Sequence, residues 1–464
     1  MKCNELIIYH IFLDRFAGFD ENADDSKPIR IGGNLKAIEK KISYLKKLGI
    51  NCIWLSPFYK SSDYHGYSVE DFYSVDPSVG SENDLKQLVK KAHDNGILVI
   101  ADFVPNHCSE KHPFFLEALN DPKSKYKNWF YFKQWPFDYL CFLDFRHLPK
   151  LNLDNHEAKK HVIDAALHWL KIGIDGFRVD HAIGPSKEFI KDFVKTVKKQ
   201  KKDAILLAEV WFQGVDDRHK ETIRAVDLDE IMKSKNMEDA AVEQMNEFDC
   251  FLDFTFNNLV KKYFKGEITA EEFFRRINEH YKSEACFASF LDNHDMNRFI
   301  FEVNNNKNIV KIASVLQFFM NQPVIIYYGN EVGLSQAIDM NEIKEHGDVQ
   351  ARRAMLWNDV DEDMLDHYKR LCLLRKKLPV MSYGEIIPVY TDPSQRFMVL
   401  LKRHKDQKMM LVVNPDKNEV KFSMDFDSIG LDAKYAIDMF NDEKIEKSSR
   451  ISVKPESFMV LFLK

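Results

Sequence analysis

Arg178 and Asp180 stand two residues apart in the run Gly176-Phe-Arg-Val-Asp-His181. On an extended strand they share a face, so a guanidinium lies beside a carboxylate and holds it ionised at neutral pH. An anion held in this way is suited to nucleophilic attack. A second acid, Glu209, lies in Ala208-Glu-Val-Trp211, where partly aromatic surroundings would raise its pKa and equip it to donate a proton. Two carboxylates about 5–5.5 Å apart on either side of a sugar C1 are what retaining glycoside hydrolysis requires. Two further polar clusters accompany them, Asp102-Phe-Val-Pro-Asn-His107 and Asp292-Asn-His-Asp295.

Each cluster follows a short apolar run, and these runs recur along the chain. Candidate strands are Leu6–Phe12, Cys52–Leu55, Ile97–Phe103, Ile174–Val179, Ala204–Val210, Cys250–Phe254, Phe287–Leu291 and Val324–Tyr328. Amphipathic helix patterns separate them. The clearest has Leu85, Leu88, Val89 and Ala92 at helical spacing behind a capping-box-like Ser81-x-x-Asp84. Others start near Leu35, Glu157, Ser186, Ala270, Asn308 and Leu365. Eight strands in alternation with helices fit a (β/α)8 barrel, whose active sites lie at the C-terminal ends of the strands. A doubly wound open sheet shows the same alternation, so the count alone leaves both open.

Two stretches break the rhythm. Residues 108–154, rich in Phe, Trp, Lys and Asp, are too long for a loop and read as a small domain inserted after the third strand. From about Val380 the helical period gives way to short alternating strands such as Phe397–Lys402 and Met409–Val413, a separate all-β sandwich domain. The expected organisation is a barrel over 1–107 and 155–378, the insert over 108–154, and the sandwich over 379–464.

Composition narrows the class. With 464 residues, 45% of them apolar and 30% charged, the chain can bury a sizeable core. Its 66 basic and 72 acidic residues leave a net charge of −6, against the basic surplus of a nucleic-acid binder. The seven cysteines are scattered without a C-x-x-C pair, which fits reduced thiols and neither a disulfide framework nor a zinc site. The N-terminal run is broken by Asp14 and Arg15 and lacks a signal-peptide pattern, and no apolar stretch approaches the roughly 18 residues of a membrane span. A cytoplasmic protein with neither nucleic-acid nor membrane partners is expected.

In this order, the clusters resemble the conserved regions of the α-amylase family, glycoside hydrolase family 13. The resemblance runs from Ile8-Tyr-His-Ile-Phe-Leu-Asp-Arg-Phe16 through Tyr64-His-Gly-Tyr67 and the four clusters to Tyr327-Tyr-Gly-Asn-Glu-Val-Gly333. It implies the barrel over the open sheet. It also implies Asp180 as nucleophile, Glu209 as general acid/base and Asp295 as the third carboxylate, gripping sugar hydroxyls in the transition state. By the same resemblance His107 and His294 bond the sugar at the cleavage site, Arg178 supports Asp180, and Tyr67 stacks on the ring. Asp102 is a structural partner, Asp292 and Asn293 shape the loop or touch substrate, and His181 fills the wall.

The resemblance also bears on substrate. Tyr64-His-Gly-Tyr67 is similar to the α-amylase and cyclomaltodextrinase branches, and His147-Leu-Pro-Lys-Leu-Asn152 to the neopullulanase and maltogenic amylase group. Internal cleavage of α-1,4 bonds in maltooligosaccharides, dextrins or starch fragments is implied. Alternatives are an α-glucosidase, a transglycosylase or isomerase of the same family, or a barrel that only binds sugar or protein; binding-only barrels lose members of the carboxylate trio, which is complete here. That group carries an N-terminal domain used in dimerisation, whereas this chain starts directly at the first strand, so the oligomeric state stays open. Many relatives hold Ca²⁺ between barrel and insert through an Asn at the position of Asn106 and insert aspartates. Lys150 and Asn152 stand where those aspartates would be, and losing anionic oxygens weakens a hard-cation site. No required metal is expected.

Overall fold

The computed structural model describes residues 2–423, 433–447 and 450–464. Eight parallel strands follow the eight apolar runs: β1 (Ile7–Ile11), β2 (Cys52–Leu55), β3 (Leu98–Phe103), β4 (Gly176–Val179), β5 (Ile205–Ala208), β6 (Cys250–Leu252), β7 (Phe287–Ala288) and β8 (Val324–Tyr327). They are the strands of a (β/α)8 barrel. Nearly every residue in them is buried, as expected where both faces of a parallel sheet are covered. Helices between them begin where the caps demand. Asn34 accepts from Ala37 N at the start of Leu35–Leu48, which stops at Gly49 in the left-handed region. Ser81 and Asp84 form the full capping box of Glu82–Asp94.

The chain divides into two compact units. One comprises residues 8–252 and 343–355, and carries most of the candidate site. In it β1 pairs with β2, β2 with β3, β3 with β4, β4 with β5 and β5 with β6. The register sets Arg178 directly beside Asp102 on β3 and beside Leu207 on β5. Gly176 opens β4 because a Cβ there would meet Ile205 O at 2.0 Å. The 108–154 stretch holds the helix Pro113–Asn120 and two short hairpins, Phe132–Gln134 with Asp138–Tyr139 and Cys141–Phe142 with Phe145–Pro149. An isolated bridge between His107 and Lys150 ties the returning chain to the end of β3.

The other unit comprises residues 1–7, 253–342 and 356–464. It includes β7 and β8, bridged in parallel through Ser289 and Val324, and helices Lys307–Phe319 and Glu362–Lys377. Among the described residues from Glu385 on, every strand pair is antiparallel. A six-stranded sheet runs in the order Glu385–Thr391, Met398–His404, Gln407–Asn414, Ser457–Leu463, Tyr435–Asp438, Lys444–Glu446. A two-stranded ribbon, Val420–Ser423 with Arg450–Val453, packs on it; Val399, Leu401, Met410, Val412 and Leu461 share one core with Ile451 and Val453. This is the C-terminal all-β domain.

Candidate active site

Arg178 is the hub of the unit 8–252. Its Nη1 donates to Asp102 Oδ1 and Asp180 Oδ1, both at 2.7 Å, and its Nη2 donates to Glu209 Oε1. One buried cation thus faces three buried carboxylates at the ends of β3, β4 and β5. Burial pushes the pKa of Asp102 up to about 6, opposed by Arg178 and by the Tyr67 hydroxyl and assisted by the charge of Glu209. Both Tyr67 Oη (2.8 Å) and Trp54 Nε1 (3.0 Å) donate to Asp102 Oδ2. His10 stacks flat on Trp54 at 3.6 Å, and the Arg178 guanidinium lies 5.2 Å from the same indole. The Tyr67 ring is therefore fixed as a wall of the cluster.

Glu209 is held by Arg178 and by the backbone N–H of His181, which donates to Oε2 at 2.8 Å. His181 adopts φ +43, a left-handed conformation that costs a histidine on the order of 1 kcal/mol. The residue after Asp180 thereby orients Glu209, a role beyond filling the wall. His107 is buried beside Asn106, and its Nε2 has no hydrogen-bond partner within the protein. Burial, with Lys150 adding to the effect, draws its pKa down to about 3, so the imidazole is neutral. His181 is likewise held neutral, chiefly by burial.

His294 and Asp295 follow β7 in the other unit, with His294 Nε2 3.0 Å from Asp295 Oδ2. His294 is buried, while the Asp295 side chain keeps 28% of its surface exposed. Asp292 and Asn293 shape this loop. Asp292 accepts from Phe299 N (2.6 Å) and Asn330 Nδ2 (2.8 Å), and Asn293 Oδ1 accepts from Asp295 N (2.8 Å).

The sequence reading passed over a second polar cluster. Arg352 Nη1 donates to Tyr64 Oη (3.0 Å) and pairs with Asp348, to which the Tyr64 hydroxyl donates at 3.3 Å. Arg15 lies over the Tyr64 ring at 4.9 Å. The Asp348-x-x-x-Arg352 spacing was the one local signal; its partner is 288 residues away. A cavity of about 290 Å³ adjoins Tyr64, lined also by His65, Lys111, His147 and His346.

The calcium position can be judged from its donors. Lys150 Nζ donates to Asn106 Oδ1 and to Gly184 O (2.8 Å), so an amine already occupies the space between two oxygens that a hard cation would need. That donor set does not fit Ca²⁺, which takes six to eight oxygens, several of them anionic.

A parallel barrel with strand-end carboxylates gathered about one buried arginine defines a glycosidase of the (β/α)8 class. The model of the α-amylase catalytic domain matches residues 10–364, and the chain belongs to the α-amylase family. Alpha-amylase 2 of Dictyoglomus thermophilum is 35% identical over 429 residues, 90% of this chain and 71% of that one. A cyclomaltodextrinase of Bacillus sp. is 29% identical over 89% of this chain and 73% of its own. The intracellular maltogenic amylase of Bacillus subtilis is 26% identical, covering 98% of this chain and 75% of that protein. Among solved structures, an acarbose complex of α-amylase from Geobacillus thermoleovorans aligns with a TM-score of 0.81 at 29% identity, over 100% of this chain and 99% of that one.

Proposed function

We propose that this enzyme is a retaining glycoside hydrolase that cleaves internal α-1,4 bonds of maltooligosaccharides, dextrins or starch fragments. The observation that carries the reading is the Arg178 hub, which holds Asp180 and Glu209 on adjacent strands of an α-amylase-family barrel. In the first step an oxygen of Asp180 bonds to C1 while the bond from C1 to the leaving oxygen breaks, and Glu209 gives that oxygen its proton. In the second, Glu209 takes a proton from water, whose oxygen displaces Asp180 from C1. Arg178 positions both carboxylates. The neutral His107, with Nε2 unspent on the protein, hydrogen-bonds the sugar. His294 does the same, Tyr67 supplies the ring beneath it, and Asp295 grips hydroxyls of the distorted ring.

The names of the relatives, α-amylase and maltogenic amylase, support a starch-type substrate. Lys150 in the cation position supports activity without a metal. Among the described residues no helix is long and apolar enough to cross a membrane. One relative is named intracellular, which supports a cytoplasmic location.

A product time course on maltoheptaose tests the reading. A spread of short maltooligosaccharides is expected, and Asp180→Asn and Glu209→Gln should each lower kcat by about 10⁴-fold or more. Glucose alone, released stepwise, would make the enzyme an α-glucosidase. Products longer than the substrate would make it chiefly a transglycosylase. Variants as active as wild type would refute the site.

A further inference from the structure

Cys52, Cys108, Cys141, Cys250 and Cys372 are buried, whereas Cys3 and Cys286 are partly exposed and meet each other. The Cys286 thiol donates to Cys3 Sγ across 2.9 Å, a contact between residues 283 apart in the chain. Both belong to the unit that comprises residues 1–7, 253–342 and 356–464. A disulfide holds its sulfurs about 2.05 Å apart. A closing movement of under about 1 Å, within reach of the side-chain torsions, would therefore join this pair.

The backbone on each side is already held where the bond would form. Cys3 opens the short turn Cys3–Glu5 ahead of β1. Arg375 Nη2 donates to Asn4 O at 2.9 Å, the Tyr383 hydroxyl donates to Glu5 Oε1 at 2.6 Å, and Leu6 O accepts from Val324 N at 3.1 Å. Cys286 is the last residue before β7, whose Phe287 N donates to Gln322 Oε1 at 3.2 Å. The pair thus lies at the entry of β7, whereas residues 292–295 follow its exit. In a (β/α)8 barrel the entry ends of the strands serve stability and the exit ends serve catalysis.

We propose that Cys3 and Cys286 are a site of oxidative modification, closed to a disulfide by a peroxide and opened again by a dithiol. One sulfur attacks an oxygen of hydrogen peroxide, the O–O bond breaks, and a sulfenic acid and water form. The second sulfur then bonds to the first and displaces its hydroxyl, which leaves as water with the second thiol proton. Two thiols and one peroxide thereby give one disulfide and two waters. A dithiol returns the pair by exchange and is itself oxidised. In a reducing compartment the pair stays as thiols until peroxide appears. The bond spans 283 residues of chain, and the entropy it removes from the unfolded state grows with the length of the closed loop. Oxidation therefore stabilises the fold against heat and leaves the catalytic chemistry unchanged.

Treatment with hydrogen peroxide, then alkylation and trypsin, reads the link by mass spectrometry. Tryptic peptides 3–15 and 283–298 each hold one cysteine, and they should appear joined through Cys3 and Cys286. The oxidised enzyme should melt about 2–4 °C higher than the reduced one, and dithiothreitol should reverse the gain. Turnover of maltoheptaose should be the same in both forms. Cys3→Ser and Cys286→Ser should each melt like the reduced wild type, with or without peroxide. The link and the melting shift are independent of the hydrolase reading, so its failure would leave them standing. Recovery of both peptides in alkylated form after peroxide would overturn the proposal, as would a link from either one to a different cysteine. So would a linked enzyme that melts no higher than the reduced one.

Discussion

Replacing Lys150 by Met keeps a long unbranched side chain but removes the amine that joins Asn106 Oδ1 to Gly184 O. Both oxygens would stay buried. Each then loses its donor at a cost of about 1–3 kcal/mol, offset in part because no amine need be desolvated. The net loss is roughly 2–4 kcal/mol, or a fall in Tm of about 2–4 °C for a chain of this length. Burial pulls the Lys150 amine from 10.5 down to about 7, yet a neutral amine still has two N–H groups for its two acceptors. Between pH 7 and 10.5 the unfolded chain holds a proton that the folded amine has released. Wild-type stability relative to Lys150→Met should therefore rise with pH through that window. Thermal unfolding followed by circular dichroism at pH 7 and pH 9.5, with and without EDTA or Ca²⁺, reads all of this. EDTA and Ca²⁺ should leave the wild-type Tm and activity unchanged. A variant as stable as wild type, or a wild-type enzyme inactivated by EDTA, would refute the argument that the lysine takes the place of a metal.

Asp102 offers a pH test of opposite sign. Its folded pKa of about 6 lies above the ordinary 3.8, so its stabilising proton is present below pH 3.8 and lost as pH rises through 6. Urea unfolding at pH 4 and pH 7 should show wild type losing about 2–3 kcal/mol relative to Asp102→Asn on going to the higher pH; a difference that stays flat would refute the raised pKa of the buried Asp102 carboxyl. Arg352→Ala leaves Asp348 beside Tyr64 without its cation. The loss should be roughly 2–3 kcal/mol, below the fully buried figure because 27% of the Asp348 side chain is exposed. The double variant Arg352→Met, Asp348→Asn should recover part of it in a denaturant titration, and a strictly additive cycle would speak against the pair.

Local signals in the chain were strong where one physical constraint acts at short range. The apolar runs reappear as β1–β8 because a residue in a strand covered on both faces has to be apolar whatever its neighbours are. The caps at Asn34 and Ser81 are legible because their partners lie three residues away. Arg178 beside Asp180 follows from the period of two on a strand, and the structure joins them at 2.7 Å.

Contacts between strands were not legible in this way. Nothing along the chain pointed to the partners of the Glu209 carboxylate, which meets Arg178 from β4 and the N–H of a left-handed His181. Register decides this, since it sets which strand-end residues lie side by side, and register depends on the whole sheet closing. Trp54 and His10 behind Asp102 have the same origin, while Arg352 against Tyr64 and Lys150 between Asn106 and Gly184 join loops that the chain separates widely. The sequence alone determined the alternation of strands and helices, the residue types at the strand ends and the family they resemble. Only the tertiary structure decided that one arginine serves three carboxylates and that the Lys150 amine joins Asn106 to Gly184. Such partners are chosen by distance in space, and no spacing along the chain encodes it.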